Sequence, residues 1–374
     1  MINSLRLRNF KCFEDRALNF GKITLLSGLN GMGKSSVLQS LLLLRQSFLQ
    51  GALPGKGLAL NGDMVSLGTG QDVLYEDALG ERICVDLKFN QTLSVGWEFA
   101  YRADADMLDL VEENVGMDDF ANISLVTDNF HYLQAERIGP RPTSAVSDYI
   151  VVRHRQLGTR GEYTSHFLSE YGDEDIPVAP LAHPEARSLH LRHQIEAWLR
   201  VVSPGVQIEL VSHRGMDLVN LQYSFVLGRK TSNSYRASNV GFGITYTLPI
   251  LTAILSAKPG SLLLLENPEA HLHPRGQVRI GELLAQAANY GVQILLETHS
   301  DHILNGIRLA VHSRLIPNTD VMLYYFGRQY DNGQVVNQTL QPAIDANGRI
   351  DKWPDGFFDE MDNSLATLLE PAKG

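Results

Sequence analysis

Gly28-Leu29-Asn30-Gly31-Met32-Gly33-Lys34-Ser35 sets two glycines, a lysine and a hydroxyl at the fixed positions of G-x-x-x-x-G-K-[ST], with a third glycine, Gly31, between them. The chemistry served by this spacing is phosphate binding. The glycines let the backbone curl until its N–H groups point at phosphate oxygens, and a following helix start adds positive potential. Lys34 would reach the β- and γ-phosphates of a nucleotide, and the Ser35 hydroxyl would sit on Mg²⁺. Gly28, Asn30, Gly31, Gly33, Lys34, Ser35 and Ser36 are therefore the candidate nucleotide-binding residues. A chance glycine-rich turn would lack the right flanks. Here Lys22–Leu26 reads as a strand and Lys34–Gln50 as a largely buried helix.

A second chemical signal is an apolar strand that ends in acids, Leu262-Leu263-Leu264-Leu265-Glu266-Asn267-Pro268-Glu269. A buried strand that delivers a carboxylate beside a phosphate loop is a way to hold Mg²⁺ and polarise water. Glu266 is the candidate metal-side carboxylate. Asn267 follows it, and an amide cannot accept a proton. Glu269, two residues on, is the alternative acid. His271-Leu272-His273-Pro274 could pair two histidines on a metal, but no Cys or third His stands at ligand spacing, so a tight turn at a subunit contact is the better reading. Leu295-Leu296-Glu297-Thr298-His299 closes another buried strand, and a histidine at such a carboxyl end faces the ligand crevice of an α/β sheet. Ser238-Asn239-Val240-Gly241-Phe242-Gly243 opens a helix with small polar residues and glycines, a second place that suits an anion.

The elements that must position these residues alternate. Ser4–Phe10 reads as a first strand, with Leu5 and Leu7 against Arg6 and Arg8. Asp63–Tyr75 and Ile83–Tyr101 carry strand-like runs, which predicts a β-rich subdomain. Ala103–Asp119 is acidic without Lys or Arg and reads as a solvated helix or loop. Arg137–Tyr235 is the least patterned stretch and offers one clear helix, near Leu189–Val202. Beyond it the helices Phe242–Ala257, Arg275–Asn289 and Asp301–Val311 alternate with the strands Ser261–Leu265, Val292–Leu296 and Val321–Phe326, which argues a parallel α/β sheet. Pro249 inside the first of these helices calls for a kink or a break.

Composition narrows the class. With 374 residues, 44% hydrophobic and 20% charged, the chain can fill a core and is not disordered. No apolar run approaches the ~20 residues of a membrane span. Cys12 and Cys84 cannot build a disulfide framework. Met1–Arg6 lacks the apolar run of a signal peptide, so a cytoplasmic protein is expected. A net charge of −10 argues against general coating of nucleic acid, while leaving local DNA contact open.

In this order, phosphate loop, glycine-rich helix start, acidic strand and His-bearing strand, the chain resembles an ABC-type ATPase of the SMC/RecF/OLD-like group. More narrowly, it resembles the bacterial AAA-family ATPases that carry a C-terminal domain of unknown function. The residues that carry the likeness are Gly28–Ser36, Ala135–Arg141, Ser238–Gly243, Glu266–Pro274, Glu297–Asp301 and the tail Gly348–Asp359. The resemblance implies an α/β P-loop ABC-ATPase head with a mixed or parallel sheet, a β-rich subdomain and an α-helical signature lobe. It divides the chain into an N-terminal ATPase lobe (1–135), a middle helical lobe ending in the signature (136–257), the rest of the ATPase core (258–328) and a small C-terminal element (329–374).

By the same resemblance, Glu266 is the Walker B carboxylate, His299 the switch histidine, and Ser238, Asn239, Gly241 and Gly243 the signature. His271–His273 falls at the D-loop. Gln71 is the candidate metal-side Q-loop glutamine, with Gln134 as its competitor. ATP and Mg²⁺ are the implied cofactors. The implied assembly is a head-to-tail homodimer, or a higher oligomer, sandwiching each nucleotide between one copy's Walker motifs and the other's signature. Asn267 departs from the family's catalytic glutamate, and loss of a general base typically costs ~10²–10⁴ in rate.

Two functions follow. One is an ATP-hydrolysing dimeric switch in DNA repair or anti-phage defence, with a partner effector and with DNA contact confined to a dimer-formed groove or delegated. The other is a slow or non-hydrolysing nucleotide-bound scaffold that holds an effector or toxin. An intrinsic nuclease is not expected, because the residues after His299 lack an acidic metal cluster. A small-molecule phosphotransferase fits the signature and His299 poorly.

Overall fold

Unbroken apolar runs such as Leu262–Leu265 suit a sheet covered on both faces, since alternate side chains point to opposite sides. In the computed structural model, which describes residues 1–89, 93–114, 122–331, 334–354, 356–358 and 360–370, that is how they are used. The chain opens with strands β1 (Ile2–Phe10) and β2 (Phe13–Asn19), then β3 (Ile23–Gly28), which runs into helix α1 (Lys34–Leu49). β4 (Gly57–Ala59), β5 (Arg82–Phe89), β6 (Leu93–Ala100) and β7 (Met107–Asn114) join β1 and β2 in an antiparallel sheet of order β2-β1-β5-β6-β7-β4. β8 (Phe130–Leu133) leads out of it.

The middle of the chain holds β9 (Ser144–Ala145), α2 (Thr164–Tyr171), α3 (Leu191–Val202), β10 (Val206–His213), β11 (Leu218–Leu227), β12 (Lys230–Thr231) and β13 (Tyr235–Arg236), with the five strands in one small antiparallel sheet. Then come α4 (Phe242–Ser256), β14 (Leu262–Glu266), α5 (Pro274–Asn289), β15 (Gln293–Glu297), α6 (Asp301–His312), β16 (Val321–Asp331), β17 (Gln334–Leu340) and α7 (Glu360–Leu369).

The central sheet has the order β17-β16-β3-β15-β14-β8. β16, β3, β15, β14 and β8 run parallel and β17 antiparallel, giving a mixed sheet in an α/β fold. Alternation splits the strands between two cores. Leu262, Leu264, Leu295 and Leu26 join α1 and the N-terminal sheet, while Leu263, Leu265, Leu296 and Leu25 join α4, α5 and α6. Each such fully buried leucine contributes about 1.5–3 kcal/mol relative to an exposed one. α5 and α6 cross closely because Gly281 and Gly306 face each other; a Cβ on Gly306 would stand 2.9 Å from the Gly281 Cα.

Four local expectations change. Asp63–Tyr75 forms turns and isolated bridges around a 3₁₀ turn at Gly70–Asp72, because Gly68 takes φ +88° and Gly70 lies flat against the Arg102 carbonyl. The acidic stretch contains β7: Leu108 is buried while Asp109 and Glu112 face out, an alternation masked by the run of acids. Asp118 and Asp119 lie outside the described residues. The middle lobe adds an antiparallel sheet to its helices, with Val206 of β10 and Val219, Leu221 and Tyr223 of β11 buried. Finally, α4 continues through Pro249, held in a buried environment where Thr247 and Thr252 hydroxyls bond back to the carbonyls of Gly243 and Leu248. Among the described residues, no helix is long and apolar enough to cross a membrane.

Candidate functional site

β3, β15 and β14 end side by side, and their register aligns Glu266 with Glu297 and Glu297 with Leu26. The loop after β3 therefore opens over two strand-end acids. Gly28, Gly31 and Gly33 have φ of 129°, 76° and 106°, a region that side-chain-bearing residues avoid. Gly33 is also pressed on by β2's approach: a Cβ there would lie 2.5 Å from Cys12 Sγ and 2.9 Å from the Phe13 ring. At Gly31 nothing lies within 4 Å of a Cβ position, so that side of the loop is open, and Asn30 is exposed beside it. α1 starts at Gly33 without a side-chain cap, leaving its first N–H groups for an anion.

Lys34 is buried and donates from Nζ to the Gly28 and Leu29 carbonyl oxygens at 3.0 and 2.8 Å. Burial pulls its pKa down, opposed by Glu297 at 4.0 Å. Ser35 Oγ donates to the Glu297 carboxylate, 2.8 Å from Oε2 and 3.1 Å from Oε1. Burial raises the Glu297 carboxyl above the ordinary range against the pull of Ser35, and Glu266 adds to the rise. Ser36 is buried, and its hydroxyl faces the Cys12 thiol.

Glu266 turns the other way, toward β8. Its Oε1 accepts from the Tyr132 hydroxyl at 2.9 Å and its Oε2 from the Ala135 N–H at 3.1 Å. Arg137, 1% exposed, donates through Nη1 to the Glu266 and Gln134 carbonyl oxygens at 2.8 and 3.2 Å and through Nη2 to that of Asn267 at 2.7 Å. Burial lowers its pKa to about 10, with Glu269 opposing, so it remains a cation at neutral pH. Asn267 sits at φ +43°, a left-handed position that Asn tolerates, and its buried Oδ1 has no hydrogen-bond partner. Glu269 is bound to the next strand end, where Oε2 accepts from Thr298 Oγ1 at 2.7 Å and Oε1 from the His299 N–H at 2.9 Å. The His299 side chain stays exposed, with its pKa lowered by burial and by Lys34.

Gln71 and Gln134 are placed differently. Gln71 sits on an exposed turn, its N–H held by the Ala103 carbonyl in the turn between β6 and β7. Gln134 directly follows β8, beside the Ala135 N–H that holds Glu266. Ser238, Asn239 and Gly241 are exposed at the uncapped start of α4, and Gly243 packs on the His271 carbonyl, where a Cβ would approach to 2.7 Å. His271 faces the Tyr246 ring, and His273 caps α5, its Nδ1 accepting from the Arg275 N–H at 3.4 Å; neither joins a metal cluster. Among the described residues, no group of three or more His, Cys, Asp or Glu is arranged to hold a metal by itself. A phosphate-bound Mg²⁺ does not need one, because phosphate oxygens and water supply most of its ligands.

Sequence reading passed over Glu297 and Tyr132. The signal for Glu297 was present: Ile294-Leu295-Leu296-Glu297 repeats the pattern of Leu263-Leu264-Leu265-Glu266, an apolar strand closed by an acid.

At the superfamily level, this architecture is a distant AAA-ATPase/SMC-head-like fold, and a family of its own matches the C-terminal part, whose β16 and β17 complete the central sheet. In particular, residues 1–172 match the family described as "AAA ATPase domain" and residues 159–305 the one described as "AAA domain, putative AbiEii toxin, Type IV TA system". Residues 316–368 match a "Protein of unknown function (DUF3696)". The SMC head solved bound to the C-winged helix domain of ScpA aligns with a TM-score of 0.54 at 14% identity, over 91% of this chain and 98% of that one. The SMC head domain from Thermotoga maritima aligns at 0.44 and 14% identity, over 91% of this chain and 98% of that one. The ScpA-bound Smc head from Pyrococcus furiosus aligns at 0.49 and 13%, over 99% of both chains. No curated protein matches the chain.

Proposed function

We propose that the chain is an ATP-binding and ATP-hydrolysing switch of the ABC/SMC kind, acting through head-to-tail pairing of two copies in defence or DNA repair with an effector partner. Gly28–Ser36 cradle the phosphates, Lys34 leaves its loop carbonyls for the β- and γ-phosphates, and the cleft of about 840 Å³ lined by Lys11, Cys12 and Met32 has room for the nucleoside. Bound Mg²⁺ would neutralise phosphate charge and order water at Ser35. Glu266, Asn267, Glu269 and His299 form the acidic and switch edge, and His299, whose exposed ring follows the end of β15, is a hydrogen-bond donor for the γ-phosphate. The division at 135, 257 and 328 is part of this reading.

The observation that carries it is the exposed, uncapped start of α4 at Ser238–Gly243, a second phosphate-suited surface that is open beside the His271 turn. A second copy's phosphate loop is the complementary half, and such a contact makes two identical sites at once. The putative-toxin family match supports a defence setting, and the SMC head bound to ScpA supports a protein partner. Light-scattering mass with ATP and Mg²⁺ tests the reading. The wild type should double in mass, and Lys34→Ala and Ser238→Arg should not. An unchanged mass under proven nucleotide saturation rejects the gating.

A slower scaffold role is favoured by one observation. Asn267 leaves no free acid beside Glu266, and both oxygens of Glu269 are already engaged. Absence of Lys34-dependent phosphate release would select that role.

A further inference from the structure

Glu266 and Glu297 end adjacent parallel strands in direct register, yet their carboxylates have different partners. Both Glu266 oxygens are occupied on the β8 side, by the Tyr132 hydroxyl and the Ala135 N–H, and Arg137 fixes the carbonyl behind them. Glu297 is 8% exposed, spans Ser35 Oγ with both oxygens and stands 4.0 Å from Lys34 Nζ. Lys34 is itself committed to the Gly28 and Leu29 carbonyls, so the buried Glu297 charge is incompletely matched in this state.

A nucleotide-bound Mg²⁺ takes the loop hydroxyl, phosphate oxygens, water and one or two carboxylates. We propose that Glu297, rather than Glu266, is the carboxylate facing that ion, so that the metal site is Ser35 plus Glu297 while Glu266 is a positioning residue that locks the segment after β8 to the end of β14. This rests on the nucleotide-binding reading. Its chemistry is that of a divalent cation: Ser35 and Glu297, now hydrogen-bonded to each other, would hold the ion, whose positive charge would offset the buried carboxylate.

The experiment uses the full chain with Mn²⁺ as the probe ion and a fluorescent ADP analogue. Mn²⁺ affinity of the protein–ADP complex is read from the free-ion electron paramagnetic resonance signal. Nucleotide binding is read separately by fluorescence in EDTA. Glu297→Gln should weaken Mn²⁺ at least tenfold while nucleotide binding in EDTA stays within threefold of wild type. Glu297→Asp, which keeps the charge but is one methylene shorter, should weaken it by a smaller factor and guards against misfolding of the first variant. Glu266→Gln should change Mn²⁺ affinity less than threefold. If Glu266→Gln weakens Mn²⁺ as much as Glu297→Gln, the assignment is overturned. If the wild type fails to bind the ADP analogue in EDTA or with Mn²⁺, the nucleotide reading itself fails, and this inference with it.

Discussion

Arg137 donates through Nη2 to the carbonyl oxygen of Asn267 at 2.7 Å, tying the segment after β8 to the turn that follows the acidic strand. The same guanidinium holds the carbonyls of Glu266 and Gln134, so one buried cation satisfies three backbone acceptors. Truncating it leaves buried carbonyls without partners, and each such loss costs about 1–3 kcal/mol. Arg137→Ala should therefore lower stability by roughly 3 kcal/mol or more, and Arg137→Lys by less, since an ammonium lacks the planar fork. Denaturant midpoints for the two variants check this; equal midpoints for Arg137→Ala and wild type would contradict it.

Asn267 occupies a left-handed backbone position at φ +43°. A glutamate at this position would strain the chain by about 1–2 kcal/mol. Asn267→Glu should thus melt lower than wild type, whereas Asn267→Gly should melt within a few tenths of a kcal/mol of it. Calorimetric scans of both proteins decide the matter, and a stabilised Asn267→Glu would show that the turn relaxes freely.

The phosphate loop's glycines are not equivalent. A Cβ at Gly28 would stand 2.0 Å from the Phe326 carbonyl oxygen, while one at Gly31 meets nothing within 4 Å. Gly31→Ala should cost only the left-handed backbone penalty, about 1 kcal/mol. Gly28→Ala forces β3 and β16 apart and should cost roughly 3 kcal/mol or more. Melting temperatures without nucleotide should rank wild type above Gly31→Ala above Gly28→Ala; any other order refutes the packing argument.

His131, on β8, is buried beside Arg45, and burial, then Arg45 and Arg155, push its pKa down to about 4. An unfolded histidine titrates near ~6.5. The unfolded chain therefore binds the extra proton between these values, and the folded state loses stability as pH falls from ~6.5 toward 4. Above ~6.5 the contribution is fully present. The loss reaches about 3 kcal/mol at the acid end. His131→Gln should flatten that slope, which urea midpoints at pH 7.0 and 4.5 measure. An unchanged slope would assign the acid sensitivity elsewhere.

Much of this fold was readable in the residues. The glycine-rich turn after β3, the helix after it and the alternation of strands and helices beyond Phe242 appear where their patterns place them, because long apolar runs and glycine spacing are local signals. Two features escaped the sequence reading. The first was legible: β11 alternates, with Val219, Leu221 and Tyr223 buried and Asn220, Gln222 and Ser224 half-buried between them. The second was not. The pairing of Ser35 with Glu297 rather than Glu266 is a tertiary choice, fixed by Tyr132 and Ala135, which approach Glu266 from a strand 134 and 131 residues away along the chain. Spacing along a sequence carries no record of which neighbour a carboxylate will choose.

The strand order has a consequence for how the molecule is made. β3 leaves the ribosome well before both its neighbours, β15 and β16, which come from residues 293–331. Until residues 293–331 emerge, the strand that carries the glycine-rich loop has two unpaired edges and no acid opposite its serine. Nascent chains should thus depend on holding chaperones, and nucleotide cannot serve as a template for early folding. Synthesis stalled before residue 293 would leave β3 without either neighbour, so the glycine-rich loop acquires its partners only after residues 293–331 are made.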